Sequence, residues 1–551
     1  MCGIWALVGA GAGARPVHHA PFIEAISPRG PDRSTEVYGP HFHIAFHRLA
    51  IHDLSPSGDQ PFRIASRSKG LIYVICNGEI YNAEEIQATY RFPLTGGSDC
   101  EVLAMMIVDL WDTPREIFSL IRGEYAFVAI RVPDEGPVEW LAARDPFGVR
   151  PLYWGNTPYG PVFSSTLAGV AGLYGAVGDQ FPPGHMARGA GAGAGEGLPA
   201  PVGVFEPPLQ VPGAGPGAAA AARAIIAEAL VDAVRVRMPS ERPLGFLLSG
   251  GLDSSLLVAI AVKALGHRAP PTFSIGLEGS PDLAAARKVA RHLGTQHTEV
   301  IFTIDEAIAA VPEVIRALET YDITTIRASI GSFLLARYIR TNTGIRALIN
   351  GDGSDEVAGG YLYHYYAPSA EDSHYDCLRL LHEIHRYDGL RVDRTLGWHG
   401  LEARLPFLDP AYVRAYLAAP AGLRAPRAGG DAQMEKQLLR DAFCEAYPGL
   451  LPREILYRRK EAFSDGVSGK NNLIAALGEW AMREHGVPER AAYAKVFDAL
   501  FPGHRHVLPG GYWMPRWTQE TDDPSARTLA VYGGGGTGGG ADAGAGGDLR
   551  A

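Results

Sequence analysis

Residues 244–255 read LGFLLSGGLDSS, and this stretch decides the fold of the larger part of the chain. The first five residues form an apolar run of strand length, and a helical pattern follows the two adjacent glycines. A glycine turn that feeds a helix N-terminus presents backbone N–H groups and the positive end of the helix dipole to a phosphate. The same letters also describe a capped strand–helix turn, because Asp253 and Ser254 are good cap residues. With a strand before it and a helix after it, the stretch predicts a phosphate-binding loop.

The pattern around this loop alternates between short apolar runs and longer helical stretches. Further apolar runs cover Thr272–Leu277 and Ala347–Asn350, and the helical stretches cover Leu252–Leu265, Asp282–Leu293 and Ala328–Thr341. This alternation predicts an α/β domain with a doubly wound parallel sheet and helices on both faces.

The chain before residue 180 has a different pattern, in which short apolar runs are bounded by turn residues. It predicts a β-rich α+β domain with a few helices, such as Glu101–Trp111. The apolar runs are Ile4–Val8, Ile44–Leu49, Leu71–Cys76, Ala126–Arg131 and Val138–Ala142.

Length and composition predict two domains and two low-complexity segments. A chain of 551 residues is too long for one hydrophobic core. The expected boundaries are a first domain at 2–187, a Gly/Ala/Pro-rich linker at 188–222, a second domain at 223–530 and a disordered Gly-rich tail at 531–551.

Charge and cysteine content narrow the class of protein. A formal net charge of -10 argues against nucleic-acid binding by overall charge, although a local basic patch stays open. Five cysteines without a CxxC pair predict a reducing compartment, with neither a disulfide framework nor a cysteine zinc site. There is no apolar run of membrane-spanning length, and the N-terminus lacks the basic region of a secretory signal. We therefore expect a cytoplasmic protein; a homodimer stays open.

A first candidate site begins at Cys2, which directly follows the initiator methionine. Removal of that methionine would give the Cys2 thiol a free α-amine, whose pKa near about 8 suits a general base. Asn77 and Gly78 close an apolar run in a turn, where an amide and a backbone N–H can form an oxyanion hole. Arg48 can grip an α-carboxylate and Asp99 an α-ammonium. Taken singly, each of these reads as a small residue, a turn residue or a solvated charge.

Taken together, five segments resemble the class II glutamine amidotransferases, which are N-terminal nucleophile hydrolases with a β-sandwich and flanking helices. The segments are CGIWALVG, PRGPDRS, FHRLAIHDL, CNGEIYN and TGGSDCE, and the resemblance covers Cys2 to His185. It implies that Cys2 is the nucleophile and that Asn77 and Gly78 form the oxyanion hole. The implied glutamine-binding residues are Arg48, Leu49, Ala50, Ile51, His52, Asn77, Gly78, Glu79 and Asp99.

The loop SGGLDSS resembles that of the ATP pyrophosphatases, which cleave ATP to AMP and pyrophosphate while adenylating a carboxylate. The resemblance implies ATP and Mg²⁺ as cofactors, with Asp253 holding the metal. The implied nucleotide- and pyrophosphate-binding residues are Leu248, Ser249, Gly250, Gly251, Asp253, Ser254, Ser255, Ile275, Asn350 and Gly351.

Five further segments between about Leu244 and Leu529 closely resemble the asparagine synthetases. The family implies amidation of L-aspartate with ammonia from L-glutamine through a β-aspartyl-AMP intermediate, giving asparagine, AMP, pyrophosphate and glutamate. The segments are SIGLEGSPDLAAARKVARHLGTQH, ETYDITTIRAS, NGDGSDEVAGGY, HGLEARLPFLD and RRKEAFSDG.

Aspartate carries two carboxylates and an ammonium, so its pocket needs cations and small polar donors. Thr324, Thr325 and Arg327 offer these in one short loop, and we expect them to bind aspartate. Lys460 and Asp352 are the expected catalytic residues, with Lys460 stabilising developing negative charge. Asp355 and Glu356 are candidates for binding metal or orienting partners. As an isolated residue, Lys460 would read as a solvated helix charge.

The chain departs from the family pattern at three places. Pro28 replaces the histidine of His-Arg-Gly-Pro-Asp, and Asp352 replaces a glutamate that is one methylene longer. The segment 164–167, SSTL, replaces a Ser-Glu-x-Lys and loses both charges.

Two alternatives stay open at this point. One is a related ligase that forms an amide on another carboxylate; β-lactam synthetase-like relatives share the two-domain plan but lack the nucleophile that Cys2 supplies. The segment TYDITTIRAS also argues against it. The other is a catalytically weak homologue kept for binding or regulation, which the three departures suggest and which a turnover measurement excludes or supports.

Overall fold

The computed structural model describes residues 1–9, 16–190, 200–203, 217–428, 432–460, 466–467 and 473–518. The strands are β1 (Gly3–Val8), β2 (Arg33–Gly39), β3 (Phe42–Arg48), β4 (Phe62–Ser66), β5 (Gly70–Ile80), β6 (Gly123–Val132), β7 (Glu139–Arg144), β8 (Tyr153–Thr157), β9 (Gly160–Ser164), β10 (Asp179–Gln180), β11 (His185–Ala190), β12 (Val202–Gly203), β13 (Leu244–Leu247), β14 (Pro271–Gly276), β15 (Gln296–Ile301), β16 (Ala347–Ile349) and β17 (Glu402–Arg404).

The α-helices, numbered in the same way, are α1 (Pro16–Glu24), α2 (Ala83–Tyr90), α3 (Asp99–Asp109), α4 (Ile117–Leu120), α5 (Ala218–Val236), α6 (Leu252–Ala259), α7 (Pro281–Leu293), α8 (Ile304–Leu318), α9 (Ile323–Asn342), α10 (Ser354–Ala358), α11 (Ala370–Glu383), α12 (Asp388–Gly397), α13 (Pro410–Ala418), α14 (Ala421–Arg424), α15 (Gln437–Ala446), α16 (Arg453–Leu456), α17 (Leu473–His485) and α18 (Glu489–Leu500). None of the described helices is both long and apolar enough to span a lipid bilayer.

The first half of the chain is a sandwich of two six-stranded antiparallel sheets. Their strand orders are β10-β8-β9-β1-β3-β2 and β12-β11-β7-β6-β5-β4. Alternate apolar residues of both sheets meet in one core, where the rings of Trp140 and Phe163 lie 5.1 Å apart. The opposite face of the second sheet packs against α3. The predicted β-sandwich with flanking helices is confirmed.

The second half contains a five-stranded parallel sheet in the order β15-β14-β13-β16-β17. The strand order reverses between β13 and β16, and in doubly wound folds ligands bind outside the carboxyl ends of strands at such a reversal. The loop after β13 and the segment after β16 therefore share one crevice. The predicted doubly wound α/β domain is confirmed.

Two local predictions were wrong. Strand β5 does not turn at Asn77 and Gly78 but stays paired with β6 as far as Ile80, since both residues continue the antiparallel ladder. Helix α9 begins at Ile323, because the Asp322 side chain accepts a hydrogen bond from the Thr325 N–H at 2.7 Å and caps the helix. The expected aspartate-binding residues thus lie in the first two turns of this helix rather than in a loop.

The expected linker is ordered at both ends. Strand β11 runs to Ala190, β12 pairs with it, and the alanine run that opens α5 begins at Ala218, as the high helix propensity of alanine favours. The rest of segment 188–222 and the tail 531–551 lie outside the described residues.

Buried ion pairs connect the two halves. Removing one partner of such a pair typically costs about 3–5 kcal/mol, which favours a single relative position of the halves. The pairs that cross are Arg29–Asp393 at 2.8 Å, Arg237–Glu124 at 3.0 Å and, with a half-buried arginine, Arg122–Asp409 at 2.8 Å.

Candidate active sites

Cys2 lies just before β1, half-buried, with its Sγ 3.7 Å from the carbonyl oxygen of Leu49. Arg29 Nε donates to the Cys2 carbonyl at 3.1 Å and fixes this end of the chain. Burial raises the pKa of the Cys2 thiol, so a nucleophilic role for Cys2 would require a nearby base. In the full chain the α-ammonium group belongs to Met1 and lies 3.4 Å from Glu402 Oε2.

Asn77 is fully buried, and neither its Oδ1 nor its Nδ2 has a hydrogen-bond partner among the described residues. A buried amide without partners is costly, so this side chain is suited to a ligand. At Gly78, an added Cβ would lie 2.5 Å from the Glu124 carbonyl oxygen, which excludes other residues. Both features suit an oxyanion hole.

Arg48 ends β3 and is buried against the loop that follows. Its guanidinium donates to the Ser55 carbonyl at 2.7 Å and to Asp59 Oδ1 at 2.6 Å. Leu49, Ala50 and Ile51, which follow Arg48, are all buried. A substrate carboxylate would therefore share Arg48 with groups that already hold it in place.

Glu79 lies beside two basic side chains, His52 and Arg404, and near a second carboxylate, Asp99. His52 Nε2 is 3.1 Å and an Arg404 guanidinium nitrogen 3.4 Å from its Oε2. Burial acts to raise the pKa of Glu79, but Arg404 and His52 outweigh it and hold the pKa at about 2. In return, Glu79 raises the pKa of His52 to about 9. Burial, aided by Glu79, raises the pKa of Asp99 to about 7, although Asp99 accepts the Ile80 N–H at 2.7 Å.

The second site is a cavity of about 270 Å³ in the crevice at the carboxyl ends of β13, β14 and β16. It brings together most of the predicted nucleotide, aspartate and catalytic residues. Those that line it are Leu248, Ser249, Gly251, Asp253, Ser254, Ile275, Thr324, Thr325, Arg327, Asn350, Gly351, Asp352 and Lys460.

The remaining two residues of the loop, Gly250 and Ser255, support it from behind. Gly250 has a φ of +76°, and a Cβ there would lie 2.3 Å from the Ala286 backbone nitrogen. Ser255 is fully buried within α6. The Ser249 N–H donates to Ser254 Oγ at 3.1 Å, which closes the loop on itself.

Two lysines face this loop. Lys436 Nζ lies 2.7 Å from Asp253 Oδ2 and 2.6 Å from Asp355 Oδ1, and Lys460 pairs with Asp355 Oδ2. Burial acts to raise the pKa of Asp355, but the two lysines outweigh it and keep this pKa well below its usual range. Sequence reasoning found Lys460 but missed Lys436, which lies outside every recognised motif.

The donor set suits Mg²⁺ only when phosphate is present. No cluster of three or more His, Cys, Asp or Glu in the described part of the chain is placed to hold a metal. Mg²⁺ is commonly bound by one or two carboxylates together with substrate phosphates, which Asp253 at the loop can satisfy. Asp253 Oδ1 already accepts the Ser354 hydroxyl at 2.8 Å, which orients the carboxylate.

Asp352 pairs directly with Arg391 of α12, and Arg391 Nε also donates to Asp388 Oδ1 at 3.1 Å. The Tyr361 hydroxyl lies 2.6 Å from both Glu356 and Asp388. Burial raises the pKa of Asp352. The shortened side chain at position 352 thus has a cationic partner within reach.

Arg327 lines the cavity, but its guanidinium forms a two-pronged pair with Glu489 at 2.8 and 2.7 Å. Asp322, which caps α9, also accepts the Trp513 N–H at 2.8 Å. Trp513 itself lines the cavity, with its ring 5.5 Å from that of Tyr361. Arg327 can bind a substrate carboxylate only if that carboxylate shares the guanidinium with Glu489 or replaces Glu489 as its partner.

The other two departures from the family pattern lie where the halves meet. Pro28 sits in the 3-10 turn Ser27–Arg29 that presents Arg29 to Cys2 and Asp393. At the altered segment 164–167, the Leu167 N–H donates to Glu319 of the second half at 2.7 Å. Both regions therefore retain polar connections across the interface.

An antiparallel sandwich with a cysteine before its first strand, joined to a parallel sheet with a glycine loop at its cavity, is the architecture expected of a glutamine amidotransferase joined to an ATP-dependent synthetase. Family models agree: a glutamine amidotransferase domain matches residues 1–177, and asparagine synthase matches 226–377 and 366–527. The glutamine-hydrolysing asparagine synthetases of Bos taurus and Gallus gallus are 37% and 38% identical to the chain, and that of Homo sapiens is 38% identical. Each alignment covers 97% of this chain and 99% of the relative. The chain belongs to the glutamine-hydrolysing asparagine synthetase family.

Proposed function

We propose that the two sites act in series. The chain makes L-asparagine from L-aspartate, with ATP as the energy source and L-glutamine as the nitrogen donor. The observation that carries this proposal is that one chain holds both sites and aligns with such enzymes over 97% of its length.

In the first step, the thiolate of Cys2 attacks the side-chain amide of glutamine. After loss of Met1, the Cys2 α-amine takes the thiol proton and delivers it to the leaving ammonia. The unpaired amide of Asn77 and the N–H of Gly78 stabilise the oxyanion of the tetrahedral intermediate. Water then cleaves the thioester and releases glutamate.

The charged residues of the first site hold the amino-acid end of glutamine. Arg48 binds the α-carboxylate, and Glu79 with ionised Asp99 binds the α-ammonium. The main chain of residues 49–52 forms the remaining wall, and His52 keeps Glu79 in position.

In the second step, the β-carboxylate of aspartate attacks the α-phosphorus of ATP, and pyrophosphate leaves. The loop 249–255 holds the phosphates. Lys436 and Lys460 give up their ion pairs with carboxylates and bind phosphate oxygens instead. Thr324, Thr325 and Arg327 orient aspartate. Ammonia then attacks the β-aspartyl-AMP carbonyl, AMP leaves, and the new amide nitrogen loses a proton.

Asp253, together with phosphate oxygens of ATP, would hold Mg²⁺, which would supply charge neutralisation on the triphosphate. Asp253 is oriented for this role by Ser354 and is released from Lys436 when that lysine binds phosphate. Asp253→Asn should raise the Mg²⁺ concentration needed for half-maximal pyrophosphate exchange, and an unchanged requirement would remove Asp253 from this role.

Product analysis tests the whole proposal. Purified protein with aspartate, Mg-ATP and glutamine should form asparagine, AMP and pyrophosphate in equal amounts. Oxygen-18 in the aspartate carboxylate should appear in AMP. Formation of ADP in step with asparagine would contradict adenylation, and lack of turnover would support a binding or regulatory role instead.

A further inference from the structure

The glutamine pocket contains a side chain that comes from the synthetase half. Arg404, the last residue of β17, is almost completely buried, and one guanidinium nitrogen lies 3.4 Å from Glu79 Oε2. The same group donates through Nε to Glu402 Oε1 at 2.9 Å and through another nitrogen to the Arg237 carbonyl at 2.8 Å. These contacts hold the guanidinium in one orientation, with Glu79 as its partner across the interface.

The backbone of Arg404 is fixed as firmly as its side chain. Arg404 pairs in register with Ile349 of β16, and its carbonyl accepts the Asn350 N–H at 3.1 Å. The neighbouring Leu405 N–H donates to Glu124 Oε1 at 3.1 Å. The edge strand of the synthetase sheet therefore presents Arg404 to the glutamine pocket at a defined position.

We propose that Arg404 is a positioning residue of the glutamine pocket, which holds Glu79 ionised and oriented toward the substrate α-ammonium. This inference rests on the proposed function, in which Glu79 belongs to the glutamine site. The glutaminase half alone then lacks one of the groups that shape its own substrate pocket.

The contribution of Arg404 to the ionisation of Glu79 can be compared with that of the other charged groups nearby. His52 and Arg404 contact the carboxylate, and Asp99 and Arg150 act on it from further away. Arg404 is the strongest of the influences that lower the pKa of Glu79. Without it, the pKa of Glu79 would be higher, although His52 would still lower it, and the pocket would bind the α-ammonium less well at acidic pH.

The test uses the full-length protein with Arg404→Gln and Arg404→Lys. Arg404→Gln should raise the glutamine KM about tenfold while kcat for glutamate release changes less, as expected for lost substrate binding. The acid limb of kcat/KM, which begins with the protonation of Asp99 near pH 7, should become steeper at lower pH because Glu79 then also takes up a proton, and Arg404→Lys should restore part of both effects. Ammonium-dependent asparagine synthesis should stay within about threefold of the parent.

Arg237→Lys is the matched control, because Arg237 is also a buried interface arginine but pairs with Glu124 and Asp409. It should leave the glutamine KM and the acid limb nearly unchanged. An equal rise in KM for the Arg237 and Arg404 variants would overturn the proposal, since general loosening of the interface would then explain both.

A double-mutant cycle tests whether Arg404 acts through Glu79, even if the single substitutions weaken the interface. In a Glu79→Gln background, Arg404→Gln should raise the glutamine KM no further, because its partner charge is already gone. Additive effects would overturn the proposal. A parent that makes no asparagine from glutamine would instead refute the proposed function, so the two failures are distinguishable.

Discussion

The glutamine site and the nucleotide site differ in how their polar groups are satisfied without substrate. At the glutamine site, the buried amide of Asn77 has no partner among the described residues. At the nucleotide site, Lys436, Lys460, Asp253 and Asp355 are paired with one another. The oxyanion donor of the glutamine site is therefore unpaired before substrate binds, whereas the lysines of the nucleotide site must exchange internal ion pairs for contacts with phosphate.

This difference matches the charges of the two substrates. The amide of glutamine is neutral and develops negative charge only in the tetrahedral intermediate, so fixed donors are sufficient. ATP brings several negative charges at once, and two unpaired lysines facing each other would repel in its absence. The carboxylates of the nucleotide site thus hold the lysines until phosphate replaces them.

The largest expected effect is at the nucleophile. Cys2→Ala should lower glutamine-dependent synthesis by at least about a thousandfold and leave ammonium-dependent synthesis largely intact. Parallel assays with glutamine and with ammonium measure this. Mass spectrometry of the parent should show a chain that starts at Cys2. Equal loss of both activities would refute the separation of the two sites.

Removing a lysine from the nucleotide site should act on both routes. Lys436→Met should lower glutamine- and ammonium-dependent synthesis about 10²–10³-fold, because a fixed cation facing phosphate is lost. Glutamate release from glutamine should be unaffected. Lys288→Met serves as the control, since this exposed lysine pairs, within the described part of the chain, only with Glu454. Normal pyrophosphate exchange in Lys436→Met would exclude the role of this lysine.

Asp352 should show an intermediate effect. Asp352→Ala should slow aspartate-dependent exchange of pyrophosphate into ATP about a hundredfold while sparing glutaminase activity. Because Arg391 already reaches the shorter carboxylate, Asp352→Glu should also slow exchange, by about tenfold. Faster exchange with glutamate would show that the pocket has not closed around Asp352. Parental exchange in Asp352→Ala would remove the residue from adenylation.

The smallest effect concerns pH. Asp99 has a pKa of about 7 and must be ionised to bind the α-ammonium, so kcat/KM for glutamate release should rise about tenfold between pH 6 and pH 8.

The same residue makes the stability of the fold depend on pH. The pKa of Asp99 in the folded state lies above its ordinary value of about 4, so the unfolded state loses this proton first as pH rises. Native stability therefore falls as pH rises from about 4 to about 7. Asp99→Asn should melt at a higher temperature than the parent at pH 8, and a lower melting temperature would contradict this.

Local sequence patterns predicted a β-rich first domain and the parallel sheet, whereas family resemblance supplied the sandwich and most residues of the nucleotide cavity. The glycine loop is a short-range feature, and parallel strands necessarily bring their carboxyl ends together, so Asn350 and Ser249 could be expected in one crevice. Asn77 and Gly78 were identified by residue type, although their strand was predicted as a turn.

Partners from distant parts of the chain could not be predicted in this way. Lys436, the Glu489 pair of Arg327 and the Arg404 contact with Glu79 depend on side-chain placement across tens to hundreds of residues. Neither periodicity nor spacing carries that information. The only signal for Arg404 was its place in HGLEARLPFLD, which indicates the family but not the contact.

The charge pairs across the interface also bear on how the chain folds during its synthesis. Glu79 and Glu124 each have one cationic partner from their own half, His52 and Arg150, and a second from the other half. At roughly 5–20 residues per second, the ribosome adds Arg404 on the order of tens of seconds after Glu79. During that interval the emerging first half already neutralises its buried carboxylates. It can therefore fold before the second half is complete and then dock onto it.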